Sequence, residues 1–131
     1  MSDWVPYHAP SVNKAKMITR TKVTELSKYQ AITEYVSRCF VYDYIKAIKT
    51  AKLTGVLPDV NRTWETGMGI CQDIAAMVTG MLRSVGIHAE LCIGTAGSQK
   101  KHAWVEAEID GKLYRYDHRR QAKQYITERR Y

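Results

Sequence analysis

Three residues of the chain have side chains suited to nucleophilic attack on a carbonyl group: Cys71, His102 and Asp117. In such chemistry a thiolate attacks, an imidazole carries the proton, and a carboxylate orients the imidazole. Gly67 and Gly69 precede the cysteine and allow a substrate to approach the backbone closely. The set predicts acyl transfer with Cys71 as nucleophile, His102 as base and Asp117 as the group that orients the histidine.

The segment after Cys71 has the most regular helical pattern in the chain. Gly86 follows it at a place where helices commonly end. The pattern predicts a helix of about 14 residues, buried along one side, that begins at Cys71. A helix N-terminus favours a thiolate, although a lone free cysteine is more often an inert core residue. The apolar residues that carry the pattern are Ile74, Ala75, Met77, Val78, Met81, Leu82 and Val85.

A hairpin is predicted to bring the other two residues together. Asp110-Gly111 is a strong signal for a two-residue turn between antiparallel strands. The register set by this turn places Trp104 opposite Asp117, so His102 and Asp117 become diagonal neighbours on one face, with Cα atoms about 7–8 Å apart. The same register pairs Glu106 with Arg115, Val105 with Tyr116 and Ala107 with Tyr114.

The remaining patterns predict one α+β domain over residues 23–131, preceded by an arm over residues 1–22 that contains Pro6 and Pro10. Helices are predicted at about 23–40 and 44–53, and a loop rich in turn-forming residues at 54–69. Strands are predicted at 87–94, 102–109, 113–117 and, with a weaker pattern, 122–126.

The composition is that of an ordinary globular chain with a basic end. Of 131 residues, 45% are apolar and 25% charged, and the net charge is +7. Residues 112–131 hold seven Lys or Arg against two Asp or Glu, a net of +5. This segment suits an anionic polymer as a partner, or is simply a solvated basic tail. Neither a membrane span nor a signal peptide is visible, so the compartment stays open: cytoplasmic as given, or extracellular or in the cell envelope if a signal was removed.

The sequence also predicts the surroundings of the remaining cysteines and of several aromatic residues. Cys39 and Cys92 are predicted as core residues that pair only in an extracellular protein. His88, Cys92, His102 and Cys71 fit no standard zinc spacing, so no metal and no cofactor are predicted. Four residues are predicted near the site: Tyr42 as a second oxyanion donor, Trp64 and Gln72 in the cleft, and Trp104 as an aromatic that shields the histidine.

Several motifs in fixed order resemble those of the transglutaminase-like superfamily, a branch of the papain-like cysteine fold. They cover residues 23–117, and Asp117 is followed by His118-Arg119 where relatives often have Pro-Thr. The motifs are Gly69-Ile70-Cys71-Gln72-Asp73-Ile74-Ala75-Ala76, Met81-Leu82-Arg83-Ser84-Val85-Gly86-Ile87, His102-Ala103-Trp104-Val105-Glu106 and Asp117, with Tyr35-Val36, Phe40-Val41-Tyr42-Asp43 and Leu57-Pro58-Asp59-Val60 upstream.

The resemblance implies a papain-like α+β core of the minimal bacterial type, in which N-terminal helices and a central helix led by Cys71 pack on a small antiparallel sheet. It also implies that Cys71, His102 and Asp117 form a triad, and that a thioester is resolved by an amine or by water. Members include crosslinkers, peptidases and amidases, so the substrate is expected to be a protein or peptide. Two other classes stay open: a non-catalytic peptide- or cell-wall-binding module, and a basic nucleic-acid-binding domain.

Overall fold

The computed structural model describes residues 3–53, 55–118 and 121–131 as a mixed α+β fold, as predicted. Strands β3 to β6 form an antiparallel sheet in the order β5-β4-β3-β6, and β1 pairs with β2 in parallel. No helix in these ranges is long and apolar enough to cross a bilayer. The elements in chain order are α1 (Ala9–Ile18), α2 (Glu25–Cys39), β1 (Val41–Tyr42), α3 (Tyr44–Thr50), α4 (Val60–Thr66), β2 (Met68–Gly69), α5 (Cys71–Ser84), β3 (His88–Ala96), β4 (Gln99–Ile109), β5 (Lys112–Tyr116) and β6 (Tyr125–Arg130).

Helix α5 lies at the centre of the fold, and it begins at Cys71 as predicted. The prediction that it is buried along one side is wrong, because α1, α2 and α4 pack against it in addition to β3 and β4. It is therefore covered on most of its surface. Its buried residues are Asp73, Ile74, Ala75, Ala76, Met77, Val78, Thr79, Met81 and Leu82.

The hairpin of β4 and β5 has the predicted register. Val105 pairs with Tyr116, and Ile109 pairs with Lys112 across the turn. Asp110 and Gly111 both have positive φ, 53° and 77°, as the tight turn requires. The register holds because one face of β4 packs into the main core while the other carries Trp104 and polar residues, and a slip of one residue would exchange the two faces.

Two short helices lie where an arm and a loop were predicted. Helix α1 lies within the predicted arm and packs on α5 through Val12 and Ala15. Pro10 suggested an irregular segment, yet proline is well tolerated in the first turn of a helix. Helix α4 lies within the predicted loop; Asp59 accepts a hydrogen bond from the Arg62 N–H at its start, and Gly67 ends it at φ 74°. Neither helix has an apolar stripe that would reveal it, since the buried apolar residues are Val12 and Ala15 in α1 and Val60 in α4.

The last strand differs from its prediction in position. A strand was predicted at 122–126, whereas β6 covers Tyr125–Arg130 and pairs with β3. Gly94 on β3 permits this pairing, since a Cβ there would overlap the backbone carbonyl of Ile126. The predicted burial of Cys39 is also wrong, because α2 ends at this residue and the side chain of Phe40 takes the place in the core.

Candidate active site

His102 and Asp117 form a buried hydrogen-bonded pair. His102 Nε2 lies 2.8 Å from Asp117 Oδ2, and the two side chains are only 3% and 2% exposed. His102 sits on β4, and Asp117 directly follows β5, so the hairpin register fixes their separation. An imidazole held in this way keeps one tautomer and one orientation.

Cys71 interacts with the same imidazole. Burial lowers the pKa of His102, but the hydrogen bond to Asp117 and the nearby Cys71 thiol outweigh burial and raise the pKa to about 9. The raised pKa of His102 favours its charged form at neutral pH. Its second nitrogen, Nδ1, is buried and makes no hydrogen bond of ordinary geometry to the part of the chain that the structure describes. The Cys71 thiol still raises the pKa of His102, through a hydrogen bond of poorer geometry and electrostatically.

Asp73 fixes the start of α5, where Cys71 lies. This carboxylate is completely buried and accepts hydrogen bonds from three groups. The Ile70 N–H lies 3.0 Å from Oδ2, the Asp59 N–H 2.8 Å from Oδ1, and the Lys46 ammonium 2.8 Å from Oδ2. The helix start is thereby tied to α3 and to the start of α4. Cys71 is partly exposed at this point and lines a cavity of about 570 Å³.

Tyr125 is a site residue that the sequence did not reveal. Its hydroxyl donates to Asp117 Oδ2 at 2.9 Å, the same oxygen that His102 contacts, and accepts from the Ala122 N–H at 2.8 Å. Its ring packs edge-on against Trp104, with centroids 4.8 Å apart. The contact joins β6 to the end of β5, two segments on opposite edges of the sheet. No local pattern in the sequence announces such a contact.

Asp117→Asn is expected to remove a pH-dependent part of the stability. The pKa of His102 is raised above its ordinary value of 6.5 to about 9, so the paired imidazolium stabilises the fold fully below about pH 6.5. That contribution decreases as the pH rises through about 9. The difference in free energy of unfolding between wild type and Asp117→Asn should therefore shrink between pH 6.5 and 9, measured by urea denaturation at several pH values.

Tyr125→Phe provides the matched control for this measurement. It removes a hydrogen bond to the same Asp117 oxygen but keeps the carboxylate charge. Its loss of stability should vary far less over the same pH range. A difference between wild type and Asp117→Asn that stays constant from pH 6 to pH 9 would contradict the charged state assigned to His102.

The structure places the four weaker candidates differently. Tyr42 and Gln72 line the cavity at Cys71, and the Gln72 amide donates to the Val56 carbonyl at 2.7 Å. Trp64 does not line this cavity; it packs against Phe40 in an aromatic cluster. Trp104 is fully buried beside His102 and donates to Glu106 Oε2, so it is a packing residue that cannot reach a substrate.

The other two cysteines differ from Cys71 in their surroundings. Cys92 is fully buried, and burial raises the pKa of its thiol to about 12. Cys39 is exposed, and both are free thiols. The described residues contain no group of three or more His, Cys, Asp or Glu side chains that could hold a metal ion. Of the three thiols, Cys71 alone lies at a helix start beside a histidine.

Comparison with known proteins assigns this architecture to a family of cysteine-type enzymes. A model of the transglutaminase-like superfamily matches residues 12–118, and the chain belongs to this superfamily. No curated protein matches the chain.

Three solved structures share the fold. One is a putative protease from Parabacteroides distasonis, with a TM-score of 0.68, 20% identity, and coverage of 83% of this chain and 23% of that one. The second is a putative cysteine protease from Cytophaga hutchinsonii, with a TM-score of 0.61, 21% identity, and coverage of 92% and 42%. A transglutaminase gives a TM-score of 0.64 at 17% identity, covering 97% and 33%. This chain thus spans less than half the length of each.

Proposed function

We propose that this domain transfers or hydrolyses acyl groups of peptide or carboxamide substrates through a thioester on Cys71. The observation that carries the proposal is the buried hydrogen bond between His102 Nε2 and Asp117 Oδ2, with Cys71 close enough to raise the pKa of the same imidazole. A cysteine, a histidine and an aspartate in this order of contact are the parts that thiol acyl transfer requires.

In the first step the Cys71 thiolate attacks the carbonyl carbon, and the carbonyl π electrons move to the oxygen. When the carbon–nitrogen bond breaks, the His102 imidazolium gives its proton to the departing nitrogen, and a thioester remains. Because Nε2 is held by Asp117, Nδ1 is the nitrogen available for this transfer. The pKa of His102, raised to about 9, favours the protonated imidazole that this step requires.

In the second step neutral His102 takes a proton from water or from a primary amine. The oxygen or nitrogen bonds to the thioester carbon, the carbon–sulfur bond breaks, and the thiolate and imidazolium form again. Asp117 stabilises the imidazolium of the free enzyme, which is present before the first step and again after the second. The backbone N–H of Cys71 belongs to the first turn of α5, where N–H groups have no acceptor within the helix. It is our candidate oxyanion donor, and Tyr42 in the same cavity is the candidate second donor.

Alkylation of the three thiols tests the proposal. Iodoacetamide near pH 7 should label Cys71 at least about tenfold faster than the exposed Cys39, because Cys71 lies at a helix start beside the His102 imidazole, a setting in which cysteine nucleophiles are activated. His102→Ala and His102→Gln should both remove this advantage; the second preserves side-chain bulk in the core. Rates are read by peptide mass spectrometry. Slow, similar labelling of Cys39 and Cys71 in the wild type would leave the triad without support.

An anionic polymer has less support as a partner. In the basic C-terminal segment, Arg115 and Arg130 both pair with the buried Glu106, at 3.5 and 2.7 Å. The Glu106 carboxylate therefore offsets part of the positive charge that these two arginines would present to an anionic polymer. A non-catalytic binding module would have no need for a buried histidine–aspartate pair beside a thiol, and this pair favours the enzymatic proposal over it.

A further inference from the structure

The cavity at Cys71 has an uneven distribution of charge. Three basic residues line it: Lys100, Lys101 and Arg129. Among the described residues that line it, one is acidic, Glu128. The basic residues come from the start of β4 and from β6. Another part of the lining is uncharged and comes from α3 and the loop that follows it: Ala47, Ala51, Leu53 and Val56.

The three cations have no carboxylate partner within the described part of the fold, a condition that they share with most of the other described basic side chains. Lys46, Arg115 and Arg130 each lie within 4 Å of a carboxylate. Lys100, Lys101 and Arg129 form no ion pair within residues 3–53, 55–118 and 121–131. Cations gathered in a concave site without internal partners produce a positive potential there, which attracts an anionic ligand.

A local irregularity of β4 coincides with two consecutive lysines that line the cavity. Side chains that follow one another on a regular strand point to opposite faces, yet Lys100 and Lys101 both line this cavity. The register between β3 and β4 shifts here, and Lys101 has a φ of 57°, in the left-handed region. A glycine would adopt this conformation without steric cost. The chain instead has a lysine at this position, directly before His102.

We propose that Lys100, Lys101 and Arg129 form an anion subsite that binds a carboxylate of the acyl-donor peptide, next to the carbonyl that Cys71 attacks. The inference rests on the proposed function, and it adds the substrate class: peptides with an acidic residue close to the reacting carboxamide. The apolar part of the lining suits the rest of such a peptide. A nucleic acid requires a longer basic track than the three cations of this cavity provide.

Two alkylating reagents of similar size, one anionic and one neutral, test the subsite. Iodoacetate is an anion and iodoacetamide is neutral, so the ratio of their rates at one thiol reports the local potential. At Cys71 this ratio should exceed that at Cys39, and it should fall about two- to fivefold in Lys100→Gln/Lys101→Gln, as expected for the loss of two partly screened charges. Rates are measured on the full chain at low salt by peptide mass spectrometry.

Lys112→Gln is the control for a charge outside the cavity. Whereas the double variant removes two positive charges from the cavity lining, Lys112→Gln removes one at the start of β5. Its ratio at Cys71 should change far less. His102 contributes to the ratio in every variant, so it cancels in the comparison. Equal ratios in the double variant and in Lys112→Gln would overturn the subsite. This result is distinct from failure of the proposed function, which is read from iodoacetamide alone as equal labelling of Cys71 and Cys39.

Protection of Cys71 from iodoacetamide identifies the kind of anion. A blocked Glu-Gln dipeptide amide should protect Cys71 at lower concentration than the matched Gln-Gln dipeptide amide, and the difference should disappear in Lys100→Gln/Lys101→Gln. Protection by a short single-stranded oligonucleotide at a lower concentration than the glutamyl peptide would overturn the assignment to a peptide carboxylate.

Discussion

Cys71→Ala is expected to abolish thioester formation and to lower any acyl transfer by at least about a thousandfold, since the covalent route is lost. The wild-type chain is incubated with glutaminyl peptides and quenched in acid, and the intact mass then shows an acyl adduct. A fluorescent primary amine in the same reaction separates the two outcomes of the second step. An amide product shows transfer, and a free acid shows hydrolysis.

Cys39→Ala is the matched control, because it removes an exposed thiol that lies outside the cavity. It should form the same adduct as the wild type. Circular dichroism of both variants tests whether they fold alike. An adduct that persists in Cys71→Ala, or that disappears in Cys39→Ala, would show that the nucleophile has been assigned to the wrong cysteine.

Asp73→Ala is expected to lower the free energy of unfolding by about 3–5 kcal/mol, as does removal of one partner from a buried ion pair. The change leaves the Lys46 ammonium and two backbone N–H groups without their acceptor. Urea denaturation measures the loss. Alkylation of Cys71 should also become slower under native conditions, because the start of α5 is no longer held against α3 and α4.

Lys46→Met removes the other partner of the same ion pair and serves as the comparison. The Asp73 carboxylate then keeps its two backbone donors, so the loss should be smaller, about 1–2 kcal/mol. Equal losses for the two variants would mean that the ion pair, and not the backbone hydrogen bonds, is what stabilises this corner. A loss below 1 kcal/mol for Asp73→Ala would contradict the anchoring role altogether.

The features that the sequence predicted correctly are those set over short stretches of chain. The periodicity of Ile74 to Val85 is contained in one helix, and the turn at Asp110-Gly111 fixes the register of β4 against β5. Because His102 and Asp117 lie on either side of that turn, their contact follows from local geometry. Cys71 and His102 come together through packing of α5 on the sheet, and for this part the resemblance to a known superfamily supplied what spacing could not.

The features that the sequence did not predict depend on contacts between distant segments. In the sequence Asp73 was noted only as part of a motif. Its hydrogen bonds with the Lys46 ammonium and the Asp59 N–H form only in the folded chain. Tyr125 reaches Asp117 only because β6 joins the sheet beside β3. The sequence predicted a strand that ends at Ile126, because the charged residues Glu128, Arg129 and Arg130 gave no alternating pattern. Tertiary packing decided each of these cases.

The position of β6 has a consequence for the newly made chain. Synthesis runs from the N-terminus, so Cys71, His102 and Asp117 all leave the ribosome before Tyr125 and the strand that carries it. Until β6 pairs with β3, Asp117 lacks the hydroxyl of Tyr125, and the cavity at Cys71 lacks Arg129. The order of residues along the chain therefore places the last contacts of the candidate site on the last strand of the described sheet to be synthesised.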